Sequence, residues 1–300
     1  IQMQNLALKY SDVCLIPNYS QVKTRANCNA FTYIGGQQFK LPVIPANMKT
    51  VIDQNLARWM SQERYFYIMH RFGHDVTEFV RQANGEDWQT ISISLGVQPH
   101  DEKVIEFLRE EHPFNGKSQK LRVDYITIDI AHGYCEAMRD MIRYIREALG
   151  DSVCVIAGNV CTSDAVKALY EWGADYVKVG VGQGSPCTTK DKTGFTLPMF
   201  TCVQECAKAN VPIIADGGVR CNGDIAKALV AGAKLVMIGG LFAQCVDSPA
   251  ETVMTENGMQ KIYYGSASVE NKGHDRNVEG IKRSLQPNNM SVENKLQEIK

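Results

Sequence analysis

Short apolar runs alternate along the chain with longer stretches that are apolar on one helical face only. The runs are residues 41–48, 65–70, 90–96, 125–133, 152–160, 176–181, 211–218 and 234–240. The amphipathic stretches include residues 55–63, 104–111, 136–149, 163–172, 197–209 and 222–231. The runs are rich in Val and Ile and mostly lack strict alternation, which is typical of parallel strands buried on both faces.

Eight strand–helix units at this spacing predict an α/β fold, a (β/α)8 TIM barrel. The alternative is an open doubly wound sheet, which usually has a glycine-rich turn after its first strand, whereas this first run ends in PANM at 45–48. We therefore expect one barrel domain over residues 41–300, with residues 1–40 as an N-terminal segment that packs on it. The polar, irregular stretch at about 256–283 is predicted to be a mobile lid.

Polar residues and glycines stand where the runs end, and in a barrel this face carries the chemistry. They are Asn47, His70, Arg71, Asp129, His132, Asn159, Cys187, Asp216, Gly239 and Gly240. Glycine pairs follow the last two runs, at 217–218 and 239–240, where barrels usually bind a phosphate group. We therefore expect a phosphorylated ligand at this end of the barrel.

Composition and charge exclude several classes of function. The net charge is −1, so the chain lacks the basic stripe that neutralises a nucleic-acid backbone. No apolar run approaches the ~20 residues of a membrane span, and the N-terminus has no secretory pattern. The ten cysteines form no C-x-x-C pair and the six histidines are scattered, which indicates reduced thiols rather than a zinc site. We expect a cytoplasmic protein that binds neither nucleic acid nor membrane.

Cys187 lies on a glycine-rich loop, GQGSPCTT at 182–189, directly after an apolar run. Glycines let the backbone approach a bound group, so we favour a nucleophilic thiol beside a phosphate site. The alternative is a packing residue in a tight turn. Thr189, two residues further on, is either a proton relay or an ordinary loop hydroxyl.

Three more residues allow both a functional and a structural interpretation. Asp129 ends an apolar strand, so it must meet a ligand, a cation or a donor from a neighbouring loop. His132 is either a base or a histidine satisfied at a strand end. Glu279 is either a general base or a solvated loop charge, and the residues around it favour the solvated charge.

Six blocks resemble, in order and register, the family of inosine-monophosphate dehydrogenase and guanosine-monophosphate reductase. They are PANM at 45–48, DIAHG at 129–133, AGNV at 157–160, GQGSPCTT at 182–189, ADGG at 215–218 and MIGG at 237–240. The resemblance covers nearly the whole chain and implies a purine nucleoside monophosphate as the ligand. It also implies that Cys187 is the catalytic nucleophile, with Thr189 and Glu279 as a proton-relay pair.

The resemblance implies roles for further residues by their positions. On the substrate side are Met48, Ser185, Asp216, Gly217, Gly218, Gly239, Gly240, Gly265, Ser266, Ala267, Arg276 and Gly280. On the nicotinamide side are Arg71, Asp129, Ile130, Ala131, Asn159, Val181 and Gly182, and the carbonyls of Gly182, Gly184 and Cys187 match a monovalent-cation site, with K⁺ as the expected ion. The near-neutral charge agrees with a phosphate held by backbone amides rather than by a basic cluster.

Within the family, the chain is more similar to the reductase. A helical pattern follows His70 within a few residues, where the dehydrogenase usually carries an inserted regulatory domain. Residues 256–300 also lack the Arg-Tyr pair with which the dehydrogenase activates water. We therefore expect NADPH-dependent reductive deamination of GMP to IMP and ammonia through a cysteine–purine adduct, in a homotetramer.

Three alternatives remain for the function. They are the dehydrogenase reaction, in which NAD⁺ oxidises IMP to XMP, a flavin-binding barrel, and a nucleotide sensor without catalytic activity. The chain also departs from the family pattern near the nucleophile. Pro186 replaces the usual aliphatic residue before the cysteine, which would stiffen the loop, and the stretch 193–197 is shortened.

Overall fold

The structure, a computed structural model, describes residues 7–114, 116–272 and 278–300. Its strands are Thr32–Ile34 (β1), Gln37–Phe39 (β2), Val43–Pro45 (β3), Ser92–Leu95 (β4), Glu111–Phe114 (β5), Lys117–Lys120 (β6), Tyr125–Asp129 (β7), Cys154–Val160 (β8), Tyr176–Val179 (β9), Ile213–Asp216 (β10), Leu235–Ile238 (β11), Thr252–Thr255 (β12), Gly258–Tyr263 (β13) and Arg283–Leu285 (β14). Its helices are Gln54–Glu63 (α1), Val76–Gly85 (α2), Pro99–Arg109 (α3), Glu136–Leu149 (α4), Ser163–Trp172 (α5), Thr189–Thr193 (α6), Met199–Ala207 (α7), Asn222–Val230 (α8), Gly240–Ala243 (α9), Val269–Lys272 (α10) and Val292–Ile299 (α11).

Seven of the predicted runs form one parallel sheet, in the order β3, β11, β10, β9, β8, β7, β4. The strands β4 and β11 are buried along their whole length, as expected for a sheet covered on both faces. The first strand of the sheet in the chain, β3, pairs with the last, β11. The first and last strands are neighbours in a barrel and not in an open doubly wound sheet, so the fold is of the (β/α)8-barrel class, as predicted.

The run at 65–70 lies between the two edges of this sheet but forms no strand, so the prediction of a strand there is wrong. All of its residues are buried. The N–H of Met69 donates to the carbonyl of Ser92 at 3.1 Å, while the carbonyl of Met69 accepts the hydroxyl of Ser94 at 2.7 Å. The hydroxyl of Ser94 thus makes the hydrogen bond that a backbone N–H would make in a regular ladder. This explains why the run is buried beside β4 but is not a strand of the sheet.

The helices follow the predicted stretches, with differences at the ends that have local causes. The bounds of α4 and α5 are those predicted, and α5 begins where the hydroxyl of Thr162 accepts the N–H of Ala165. The stretch predicted at 104–111 is α3, which begins earlier because Pro99 presets a helical φ and the Asp101 carboxylate accepts the N–H of Gln98 at 2.9 Å. Glu111 leaves the helix and begins β5. Both α7 and α8 are shorter than predicted.

Parts of the N-terminal segment pack on the barrel. The N–H of Leu8 donates to the hydroxyl of Thr201 in α7 at 2.8 Å, and Tyr10 is only 1% exposed. The β1–β2 hairpin buries Ile34 and Phe39 in the core. Residues 14–29, between these two anchors, are exposed.

The stretch predicted to be irregular, about 256–283, contains regular structure. Strand β13 lies between β12 and β14 in an antiparallel sheet and buries Lys261 and Tyr263. The ammonium of Lys261 donates to the carbonyl of Ser248 at 3.2 Å, so this polar residue is an internal hydrogen-bond donor rather than a solvated one. Among the described residues, no helix is both long enough and apolar enough to cross a membrane.

Replacing Phe66 by alanine should lower the free energy of unfolding by about 3–5 kcal/mol, because it leaves a cavity in the core. Phe66 is fully buried, and its ring lies edge-on to Phe39 at 5.1 Å and to Tyr125 at 4.8 Å between centroids. Urea denaturation measures the change. The matched control is Phe195→Ala, at a side chain that is 77% exposed, and equal effects of the two variants would show that the run at 65–70 is not part of the core.

Candidate active site

Two neighbouring cavities open at the C-terminal ends of the barrel strands, the face on which barrel enzymes hold their substrates. The first has a volume of about 390 Å³ and the second about 420 Å³. They share a wall to which Gln183, Gly184, Gly217, Gly239 and Tyr263 contribute. A ligand can therefore extend from one cavity into the other.

Every described residue to which the family resemblance gives a role lines one of these cavities. The first is lined by Met48, Arg71, Asp129, Ile130, Ala131, Asn159, Val181, Gly182, Gly184, Cys187, Thr189, Asp216, Gly217, Gly239, Gly265, Ser266, Ala267, Glu279 and Gly280. The second is lined by Ser185, Gly218 and Gly240, and it shares Gly184, Gly217 and Gly239 with the first. Arg276 lies outside the described residues.

A hydrogen-bonded relay connects the loop cysteine to a carboxylate. The thiol of Cys187 donates to Oγ1 of Thr189 at 3.2 Å, and the hydroxyl of Thr189 donates to Oε2 of Glu279 at 2.5 Å. This order of thiol, hydroxyl and carboxylate gives the sulfur-bound proton a path to a base. Glu279 thus lies in the cavity wall beside Thr189, not on a solvated loop.

Backbone pairing holds the two ends of this relay together. The N–H of Thr188 donates to the carbonyl of Glu279, and the N–H of Ile281 donates to the carbonyl of Pro186, both at 2.9 Å. The cysteine itself lies in an antiparallel bridge between these two bonds. Because main-chain atoms set the spacing, the carboxylate reaches the threonine without relying on a flexible loop.

A buried lysine that sequence analysis missed lies at the first cavity. Lys178 in β9 is 2% exposed, and its Nζ lies 2.8 Å from Oδ1 of Asp129 and 2.7 Å from Oδ2 of Asp216. Asn47 donates to Asp129 at 3.0 Å, and Asn159 donates to Asp216 at 2.8 Å. The sequence signal was available, since Lys178 is a charge within an apolar run, as Asp129 is. The network joins the predicted nicotinamide side to the predicted ribose side.

The charges of this network stabilise one another. Burial acts to raise the pKa of Asp129, but the charge of Lys178 and the hydrogen bonds from Lys178 and Asn47 outweigh it and lower the pKa. Burial likewise acts to lower the pKa of Lys178, and the two carboxylates raise it instead. Asp129 is therefore ionised and Lys178 protonated at neutral pH.

Tyr263, which the sequence analysis also missed, contributes to the wall between the cavities. It is 3% exposed, and its hydroxyl lies 3.7 Å from Sδ of Met48. A Cβ at Gly239 would lie 2.1 Å from the tyrosine oxygen, so glycine at this position leaves room for the ring. No sequence signal marked Tyr263, because its strand buries Gln260 and Lys261 instead of showing an apolar alternation.

No histidine within the described residues lines either cavity. His132, considered above as a base, is exposed and lines neither of the two cavities. His70 is buried, its Nδ1 accepts the N–H of Phe72 at 3.1 Å, and burial lowers its pKa to about 3, so the ring is neutral at physiological pH. The described residues also hold no group of three His, Cys, Asp or Glu side chains placed to bind a metal ion.

Replacing Lys178 by methionine should lower the free energy of unfolding at pH 7 by about 3–5 kcal/mol, because two carboxylates would be buried without their cation. The loss should shrink toward pH 4. In the parent, the lowered pKa of Asp129 contributes stability that is present above its unfolded pKa and is lost as the pH falls through the folded value. In the variant, burial raises that pKa, so protonation relieves the cost as the pH falls.

Urea denaturation at both pH values measures this effect. The control is Lys234→Met, at an exposed lysine directly before β11 that lines neither cavity. A loss of equal size at pH 7 and pH 4 would show that Lys178 stabilises the barrel by packing rather than by charge.

The sequence and the geometry can now be compared with known proteins. The model of the IMP dehydrogenase / GMP reductase domain family matches residues 113–297. A GMP reductase of Mesoplasma florum is 46% identical over 282 residues, which cover 93% of this chain and 85% of the relative. A GMP reductase of Delftia acidovorans is 47% identical over 282 residues, covering 93% and 83%. A GMP reductase of Mycoplasma mycoides subsp. mycoides is 46% identical over 279 residues, covering 92% and 84%.

These matches extend over most of the barrel and over both cavities, so they concern a whole domain and not a single motif. They agree with the order of the six sequence blocks and with the seven-stranded parallel sheet that brings those blocks together. The chain belongs to the family of IMP dehydrogenase and GMP reductase.

Proposed function

We propose that the protein is a GMP reductase, which converts GMP to IMP and ammonia with NADPH as the reductant. The observation that carries this proposal is the relay from Cys187 through Thr189 to Glu279 in the wall of the first cavity. The relatives that match at 46–47% identity bear that name, and they align over 93% of the chain.

The first step forms a bond between the sulfur of Cys187 and C2 of guanine. A free thiol is only a few per cent ionised at neutral pH, so the nucleophile needs a base. The thiol proton passes through the hydroxyl of Thr189 to the carboxylate of Glu279, along the two hydrogen bonds of the relay. The same proton then returns to the 2-amino group, which leaves as ammonia, so this step consumes no water.

The second step breaks the sulfur–carbon bond. A nicotinamide cofactor held by Arg71, Ala131 and Asn159 would supply a hydride for C2 of the purine adduct, and the electron pair of the broken bond would leave with the sulfur of Cys187. Cys187 departs as the thiolate and IMP is released, so the adduct, the hydride and the products balance. Attack of water on the same adduct would give XMP, and the cavity must therefore exclude water at this stage.

The two cavities suit the two ends of a purine nucleoside monophosphate. The first contains the nucleophile and the segment 265–267, which would surround the base. Asp216, which lines the first cavity next to the shared Gly217, would bind the ribose hydroxyls. Ser185 and the glycines of the second cavity would bind the phosphate, since backbone N–H groups near helix starts favour anions.

The wall around Asn159 fits the carboxamide of a nicotinamide ring. Nδ2 of Asn159 donates to the carbonyl of Gly180 and to Asp216, each at 2.8 Å. Its Oδ1 is buried and accepts no hydrogen bond from any residue that the structure describes. A buried amide oxygen needs a donor, and the NH₂ of a carboxamide would supply one. Arg71 and Ala131, at the same cavity, would contact the rest of the cofactor.

Two further parts of the proposal rest on the family resemblance. One is K⁺ on the carbonyls of Gly182, Gly184 and Cys187. The carbonyl of Gly184 accepts the N–H of Cys187 at 3.0 Å, and its second lone pair remains for a cation. The other is a homotetramer, whose formation sedimentation would measure.

Adding GMP to the protein should consume NADPH and release ammonia in equal amounts, and Cys187→Ala should abolish both, because the adduct cannot form without the sulfur. NADPH absorbance and an ammonia assay measure the reaction. Cys221→Ala, at an exposed cysteine, is the control and should keep full activity. NADH formation from IMP and NAD⁺, with no reaction of GMP, would establish the dehydrogenase reaction instead. A yellow purified protein would favour a flavin-binding barrel.

Glu279→Gln should lower kcat by about 10²–10⁴-fold, because the amide cannot take up and return the proton. The KM for GMP should change little, since the glutamine keeps an oxygen that accepts the hydroxyl of Thr189. Steady-state kinetics separate the two parameters. Glu251→Gln, at an exposed glutamate, is the control. A rise in KM with no change in kcat would show that Glu279 acts in substrate binding and not in the relay.

A further inference from the structure

The second cavity differs from the first in the charge of its walls. Lys9, Lys190 and Arg220 line it, and no acidic residue in the described part of the chain does. The first cavity has three carboxylates, among them Asp129 and Glu279, and two cations. In a chain of net charge −1, this concentration of positive charge at one end of a continuous site is specific to the second cavity.

None of these three basic side chains is neutralised within the described ranges. Their nitrogens take part in none of the ion pairs found there. The carboxylate oxygens of Asp224, four residues after Arg220, accept the backbone N–H of Arg220 at 3.0 Å and the ammonium of Lys227 at 3.4 Å. All three side chains are exposed, so they can move toward a ligand at the rim.

The backbones that carry the three cations are each anchored independently. Lys9 follows Leu8, whose N–H donates to Thr201 at 2.8 Å. Lys190 belongs to α6, next to the relay threonine. Arg220 comes two residues after the Gly217-Gly218 pair and is held at its N–H by Asp224. Three separate parts of the chain therefore bring positive charge to the wall of one cavity.

We propose that Lys9, Lys190 and Arg220 form a cationic rim that binds the doubly charged 5′-phosphate of the substrate and so selects nucleotides over nucleosides. This deepens the proposed function and rests on it for the identity of the nucleotide. The backbone amides of the glycine loops hold the phosphate oxygens in place, while the rim supplies the charge that those amides lack. The expectation that amides alone hold the phosphate is therefore incomplete.

Calorimetric titration of GMP and of guanosine, with no cofactor present, tests this proposal. The variants are Lys9→Gln, Lys190→Gln and Arg220→Gln, and the control is Lys192→Gln, an exposed lysine of the same helix that does not line the cavity. Each of the three substitutions should weaken GMP binding roughly threefold to tenfold. A loss of this size lies between the contribution of an exposed ion pair and that of a charge-assisted hydrogen bond. Guanosine binding should not change, nor should GMP binding in the control. Added salt should weaken GMP binding most in the parent.

Three results would overturn the proposal. They are a parent that binds GMP no more tightly than guanosine, a Lys192→Gln variant as weak as the others, and an equal loss of guanosine and GMP affinity. The outcome is separable from that of the reaction. A parent that binds GMP in the expected way but does not consume NADPH refutes the proposed activity and leaves the cationic rim standing. Normal turnover of GMP by all three variants, with unchanged GMP affinity, refutes the cationic rim and leaves the proposed activity standing.

Discussion

The ion pairs of Lys178 with Asp129 and Asp216 are the interaction on which the site depends. Taking three charged groups out of water costs several kcal/mol each, and only their mutual attraction and hydrogen bonds offset that cost. The lysine also restricts its neighbour in the sheet, since a Cβ at Gly158 would lie 2.5 Å from Cβ of Lys178. Because Lys178 contacts both carboxylates, the predicted ribose side and nicotinamide side of the cavity cannot move apart independently.

The relay depends on a different constraint, the pairing of backbone around residues 279–281 with the cysteine loop. Two main-chain hydrogen bonds of 2.9 Å set the distance between Thr189 and Glu279, so the carboxylate meets the hydroxyl at 2.5 Å. The same pairing brings this segment over the first cavity. Glu279, which would take the proton, is therefore held by the same segment that would cover the adduct and exclude water.

The distribution of charge divides the site into two ends. The first cavity combines carboxylates with a buried lysine and suits an uncharged base and its proton transfers, while the second has cations alone and suits a phosphate. Tyr263 stands where they meet, and Gly239 leaves it room. On the proposed function, this difference in charge would orient a nucleotide in addition to the contact of Asp216 with the ribose, since the reverse orientation would place a dianion among carboxylates.

The sequence by itself determined the barrel, because apolar runs with glycine and polar ends are a local pattern that specifies buried parallel strands. It also indicated two site residues, Cys187 as a thiol on a glycine-rich loop and Asp129 as a carboxylate at the end of an apolar strand. The tertiary structure alone decided that 65–70 would be buried beside β4 without forming a strand, that Lys178 would join Asp129 to Asp216, and that Glu279 would lie in the cavity wall. These outcomes depend on contacts between residues far apart in the chain, and local pattern carries no information about which distant groups will meet.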